Sequence, residues 1–283
     1  MRFLISASTA LALLGSGCGR GVERINEVAA IRAQGLPLEP IDAAWNTAPE
    51  HAAKLLLQDL VDPRLMQAST SEVLVRALTN GTDIAFRLEW ADASQDDLPG
   101  PGRFLDACAI QIPAAIEGDL ADPQMGQDGK PVEIAYWRAD WQASVNGRPD
   151  TIRSLYPNAT VDHYPFEAAA LEPGSPAQEE MAKRYAPAAA AGNRRVGPSD
   201  VSVEDLIAEG PGTLSPAPRN VSRGKGVRTT QGWSVVFIRP LPTGLGPRVR
   251  TNIAFAVWEG SHNEAGARKM RTGWILLALR EGT

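Results

Sequence analysis

Side chains that usually carry chemistry are thinly spread along this chain. Its three histidines, His51, His163 and His262, form no His-Glu-x-x-His or similar metal motif. No glycine-rich lysine loop is present to cradle a phosphate, and no nucleophile elbow presents a serine. The two cysteines, Cys18 and Cys108, are too few for a cysteine-rich zinc or iron–sulfur site. The absence of Cys-x-x-Cys-His excludes covalent c-type haem attachment. Acids are abundant, but Asp92, Asp96 and Asp97 fall in a turn-like stretch where solvated carboxylates are expected, and nothing selects a glycosidase pair. Two segments remain odd for pure structure. Met125 sits in the Pro/Gly loop Asp122-Pro123-Gln124-Met125-Gly126, where neither helix nor strand periodicity places it; alone it reads as a core plug or an exposed loop residue. Lys269 lies in the polar loop 258–270, where a lysine is ordinarily solvated.

The elements that must hold these residues read as mainly β. Gly (26) and Pro (22) together are about one residue in six, too many for a helix bundle. Residues 72–78 form a strand signal, followed by the hairpin turn Asn80-Gly81 and an alternating run over 84–90. Further strands are predicted at 107–112, 132–141, 232–239, 252–258 and 273–279, and Cys108 falls within an apolar run as a buried, inert residue. Residues 51–61 are compatible with a short strand or a helix. The stretch 142–230 reads as a long loop-rich excursion with one short helix near 176–185, and such an excursion is usually functional or in contact with a partner. The expected fold is therefore one antiparallel β-sandwich with a long loop-rich insertion and few short helices.

The N-terminus reads as an export signal. Arg2 supplies a positive start, 3–14 an apolar stretch too short to span a bilayer, and Gly15-Ser16-Gly17-Cys18 resembles a lipoprotein cleavage site that would leave a lipid on Cys18. A plain signal peptide is the alternative. The predicted organisation is a signal over 1–18, a lead-in over 19–70 packed on the sandwich, and the sandwich over 71–283, in a periplasmic protein held to the membrane by lipid. The net charge of −5 offers no electrostatic basis for binding nucleic acid.

Several segments, in order, resemble the haem-binding gamma subunits of ethylbenzene dehydrogenase, dimethyl sulfide dehydrogenase and selenate reductase. They are 75–93, which includes Asn80-Gly81 and Trp90-Ala91-Asp92; 106–113; Met125-Gly126 before Pro131-Val132; 208–214; 232–239; Ala256-Val257-Trp258-Glu259-Gly260; and Lys269 five residues before Trp274. The resemblance implies a b-type haem within a β-sandwich, with its iron held by Met125 and Lys269. His262 and Met270 are the nearby competitors for iron. A thioether is a soft, neutral ligand, whereas an amine binds only once deprotonated. With both axial positions filled by protein, electron transfer is the natural task, without catalysis in this chain. The implied partners are a molybdenum-cofactor catalytic subunit, an iron–sulfur subunit, and a cytochrome or quinone-linked acceptor. Two other readings stay open: a stand-alone haem lipoprotein carrier, and a haem-free carbohydrate-binding sandwich whose seven tryptophans stack on sugars.

Overall fold

In a computed structural model the described residues are 26–149, 153, 156–160, 172, 174–185 and 200–282. The predicted export signal, Cys18, His163 and much of 150–199 lie outside them. The elements are β1 (Glu27–Arg32), β2 (His51–Lys54), β3 (Leu56–Leu57), β4 (Glu72–Thr79), β5 (Asp83–Ala91), β6 (Ala107–Pro113), β7 (Val132–Arg138), α1 (Ala139–Val145), α2 (Pro176–Tyr185), β8 (Val203–Ala208), β9 (Ser215–Pro216), β10 (Arg223–Arg228), β11 (Gly232–Pro240), β12 (Thr251–Trp258), β13 (Met270–Arg271) and β14 (Ile275–Arg280).

The strands run in the order β10-β11-β5-β4-β1-β14-β12-β6-β7-β8-β9. β12 joins the two layers: Thr251–Ile253 pair with β14, and Ala254–Trp258 pair with β6. Alternation does the folding work. Phe86 and Leu88 of β5, Val235 and Phe237 of β11, Ile110 and Ile112 of β6, and Phe255 and Val257 of β12 all point into one inter-sheet core. Burying such side chains stabilises the fold by about 1.5–3 kcal/mol each. A second cluster caps the outer face of the first layer, where Trp45 from the turn Ala43–Thr47 packs on Leu78, Ala85 and Val236. Cys108 is buried in the inter-sheet core, and burial pushes its thiol well up.

The β-sandwich is as expected, with three local corrections. The lead-in contributes β1, which lies between β4 and β14 and is parallel to both, so the sheet is mixed and not wholly antiparallel. The strand predicted to reach Trp141 ends at Arg138, where the chain turns into α1; Asp140 pairs with Arg138 at 2.7 Å, and its carbonyl accepts from the Ser144 hydroxyl. The span 203–228, expected within the loop-rich excursion, instead supplies β8, β9 and β10. Glycine disguised β10. A Cβ on Gly226 would come within 2.2 Å of the Trp137 ring, so the strand omits side chains to admit the indole. The open reading of 51–61 resolves as two short strands, β2 and β3.

Candidate functional site

The β12–β6–β7–β8 layer has a second apolar face, directed away from the inter-sheet core. Ala109, Ile134, Leu206, Ala256 and Trp258 alternate with the core residues and line this opposite side. A cavity of about 440 Å³ lies over it, with Ala109, Ala254 and Ala256 giving a low floor. Its walls come from loops: Pro123–Met125, Pro211 to Leu214, Gln58 to Asp62, and the approach to β13. The cavity is therefore outside the inter-sheet core, between one sheet and its loops.

Met125 is held by an unusual turn. It adopts φ +71°, and Gly126 follows at φ +81°. Left-handed backbone at a non-glycine residue costs energy and persists only where the surroundings enforce it. Here the Gly126 N–H donates to the Asp122 carbonyl at 2.8 Å, and the Met125 carbonyl accepts from the Gly210 N–H at 2.8 Å. A Cβ on Gly126 would stand 2.8 Å from the Lys130 carbonyl oxygen and 2.9 Å from that of Ala208. The loop after β8 thus fixes the loop before β7, and the Met125 side chain lines the cavity.

Lys269 arrives from the opposite wall. Its carbonyl accepts from the Gln58 N–H at 3.2 Å, just before β13 pairs with β3 and β12. Strand parity then sorts three neighbours: Met270, 2% exposed, turns into the inter-sheet core, while Lys269 and Arg271 line the cavity. The Lys269 Nζ lies 3.9 Å from Met125 Sδ and 5.2 Å from the centre of the Trp258 ring. The Trp258 indole is itself fixed by donating to the Gly266 carbonyl at 3.0 Å. Among the described residues no carboxylate pairs with Lys269. Burial, and then the positive charge of Arg271, bring the amine pKa down from 10.5 to about 8.

The structure thus brings Met125 and Lys269 together and leaves their competitors elsewhere. His262 is exposed in the turn Gly260–His262 and does not line the cavity, and Met270 belongs to the core. The tryptophans offer no sugar platform on the surface, since six of the seven are buried and Trp274 is half-buried with its indole donating to the Ala121 carbonyl. The expectation of solvated acids fails at Asp92. It is 5% exposed and lies in a corner with Asp106 and Glu259, where carboxylate oxygens approach within 4.8 Å. This corner has donors of its own. Asp106 accepts from the Asp96 and Gly260 N–H groups and from the Trp233 indole, Asp92 from the Ser94 N–H, and Glu259 from the Ser261 hydroxyl. Burial foremost raises Asp92 and Asp106 to about 6, and the Glu259 charge adds to the effect at Asp92. Sequence reasoning passed over Arg271 as well. Its signal was parity: two residues after Lys269, on the same side of a buried Met270.

Residues 42–270 match the family model described as ethylbenzene dehydrogenase, and the chain belongs to that family. Among curated proteins it is similar to the chlorate reductase subunit gamma of Ideonella dechloratans, 25% identical, covering 94% of this chain and 89% of that protein. It is also similar to a protein of Haloferax mediterranei provisionally named respiratory nitrate reductase heme subunit ORF7, 23% identical, covering 87% of this chain and 70% of the relative. Among solved structures, a family 9 carbohydrate binding module from Caldicellulosiruptor kristjanssonii in complex with cellotriose aligns with a TM-score of 0.41 and 8% identity, over 91% of this chain and 95% of that one.

Proposed function

We propose that this chain is the haem b-binding electron-transfer subunit of an exported, molybdenum-dependent oxidoreductase, with Met125 and Lys269 as the two axial ligands of the iron. The observation that carries the reading is the 3.9 Å approach of the Lys269 amine to the Met125 sulfur, across 144 residues of chain. At that separation both donors face the same space in the cavity, so one metal-bearing group entering there would meet both. The donor set also fits: a soft thioether, an amine that no acid pairs with among the described residues, and a largely apolar cavity around both. The alanine floor leaves room for a planar group against the sheet.

Bound haem supplies a one-electron couple. The chain's own part is to present two neutral donors and to exclude water. Lys269 must release its proton before it can bind, and burial beside Arg271 already loosens that proton. Trp258 and Tyr136, in edge contact at 5.2 Å between ring centres, wall the site against solvent. With Met125 and Lys269 both holding the iron, no position on it would remain for a substrate, and the role would be electron transfer. The relatives named as a heme subunit and a gamma subunit of reductases support that role and the presence of partner subunits. Those partners are read as a molybdenum-cofactor subunit, an iron–sulfur subunit, and a cytochrome or quinone-linked acceptor. The reading places the protein in the periplasm, anchored by a lipid on Cys18.

The test is the visible spectrum of protein matured in an exporting host. A low-spin haem that acidified acetone extracts is expected, and Met125→Ala and Lys269→Ala should each convert it towards high spin. His262→Ala should leave it unchanged. A protein that takes up no haem, or a spectrum that depends on His262 and not on Lys269, refutes the assignment.

A further inference from the structure

We propose that Arg271 is a second anchoring point of the cavity, binding a carboxylate on the edge of the ligand that Met125 and Lys269 hold. If that ligand is the haem proposed above, on which this inference rests, the carboxylate is one of its propionates.

The argument starts from a cation without a counter-ion. Arg271 lines the cavity, yet no acid pairs with it among the described residues. Its Nε is buried with no hydrogen-bond partner, and its Nη1 makes one long contact, 3.4 Å, to the Thr272 carbonyl. Arg87 pairs with Glu89 at 2.7 Å, Arg138 with Asp140 at 2.7 Å, and Arg148 with Asp97 at 3.0 Å; a buried Nε without a partner recurs at Arg87 and Arg268, and Arg268 also has no acid among the described residues, but only Arg271 of these lines the cavity. The acid that shares the cavity lining, Asp62, is turned to Arg64 at 3.2 Å. An unpaired guanidinium in an apolar cavity is costly, and an orphaned Nε–H is costlier still. A ligand carboxylate removes both costs, because the planar guanidinium fork accepts it in a bidentate arrangement.

Parity fixes where that carboxylate must lie. Lys269 and Arg271 are two residues apart with Met270 turned into the core between them, so both project to one side of β13. A ligand bound at Lys269 therefore presents its edge to Arg271. The site selects an apolar planar body carrying an acidic edge, which separates free-acid porphyrins from neutral ones.

The experiment compares two pigments on haem-free protein, iron protoporphyrin IX and its dimethyl ester, followed by Soret absorbance and by tryptophan quenching. Wild type should bind the free acid at least about tenfold more tightly than the diester. Arg271→Gln should lose that preference by weakening the free acid about ten- to hundredfold while leaving the diester nearly unchanged. Arg271→Lys, which keeps the charge but not the fork, should retain part of the preference and guards against a folding defect in the glutamine variant. Equal weakening of both pigments would mean that Arg271 acts only through its charge on Lys269, and would overturn the proposal, as would no change in either. Wild type that binds neither pigment overturns the haem reading itself, a result distinct from the others.

Discussion

Replacing Lys269 with methionine removes one charge from the cavity wall while keeping an unbranched side chain of similar length. The structure gives the consequence for the haem-free fold a sign and a size. Burial and Arg271 bring the amine from 10.5 to about 8, a loss of about 2.5 powers of ten in proton affinity. At about 1.4 kcal/mol per power of ten this amounts to about 3.5 kcal/mol, and because the Lys269 side chain keeps part of its surface open to solvent, screening reduces it to about 1–3 kcal/mol. Between pH 8 and 10.5 the unfolded chain holds a proton that the folded chain has released. Stability therefore rises with pH across that window, and at pH 7 the buried ammonium works against folding. Lys269→Met should make the haem-free protein more stable than wild type at pH 7, by about 2–4 °C in Tm for each kcal/mol. The gap should narrow as pH rises through that window and close above about pH 10.5, where the wild-type amine becomes neutral in both states. Urea titration of haem-free protein at pH 7, 8.5 and 10 reads this directly. A variant that is less stable at pH 7, or a gap that does not change with pH, refutes the account of Lys269 as a cation held in an unfavourable place.

Gly126→Ala should destabilise the fold by about 1–3 kcal/mol and perturb the low-spin spectrum of loaded protein, because the new Cβ meets two carbonyl oxygens at a left-handed φ; a variant with wild-type urea midpoint and spectrum refutes the role given to the turn. Asp92→Asn should act through the acidic corner. The folded chain keeps the Asp92 proton up to about pH 6, whereas the unfolded chain loses it near 3.8, so this contribution to stability falls as pH rises through that window. The asparagine variant should therefore be more stable than wild type at pH 7, by about 1–3 kcal/mol, with the gap vanishing below about pH 4; equal urea midpoints at pH 7 count against it. Cys18→Ala should release the protein from membranes with its haem retained, which fractionation of the exporting host checks; wild type found soluble favours a plain signal peptide.

Strands whose two faces differ were legible in the sequence, and strands placed by distant partners were not. The β4–β5 hairpin announces itself: Asn80-Gly81 turns the chain, with Gly81 at φ +94° and the Asn80 side chain accepting from the Thr82 and Asp83 N–H groups. β1 has no such local signal. Of its six residues only Val28 and Ala30 are buried, and both its neighbours are parallel strands that need no adjoining turn. β8 hides its place behind acids, and the Asp205 carboxylate is used to accept from the Val221 and Ser222 N–H groups at 2.6 and 2.7 Å. Such a polar strand looks like loop until the backbone that it serves is in view.

The site shows a similar division. Resemblance marks both Met125 and Lys269, while misfit to local periodicity marks Met125 alone, and periodicity has no means of bringing two loops together over 144 residues. Yet one signal for the cavity lies in the strands themselves. In Ala107-Cys108-Ala109-Ile110-Gln111-Ile112 the inward residues are Cys108, Ile110 and Ile112, and the outward ones are two alanines and a glutamine. β12 repeats the pattern, with Ile253, Phe255 and Val257 inward and Ala254, Ala256 and Trp258 outward. A solvated outer face has no use for small apolar residues in register on adjacent strands, where charged and β-branched side chains are the rule. A covered face packed by side chains would carry larger ones, as the inward face does here. Small and apolar residues paired in register, Ala109 with Ala256, leave the cavity its depth over the sheet on the side that Lys269 and Met125 also line.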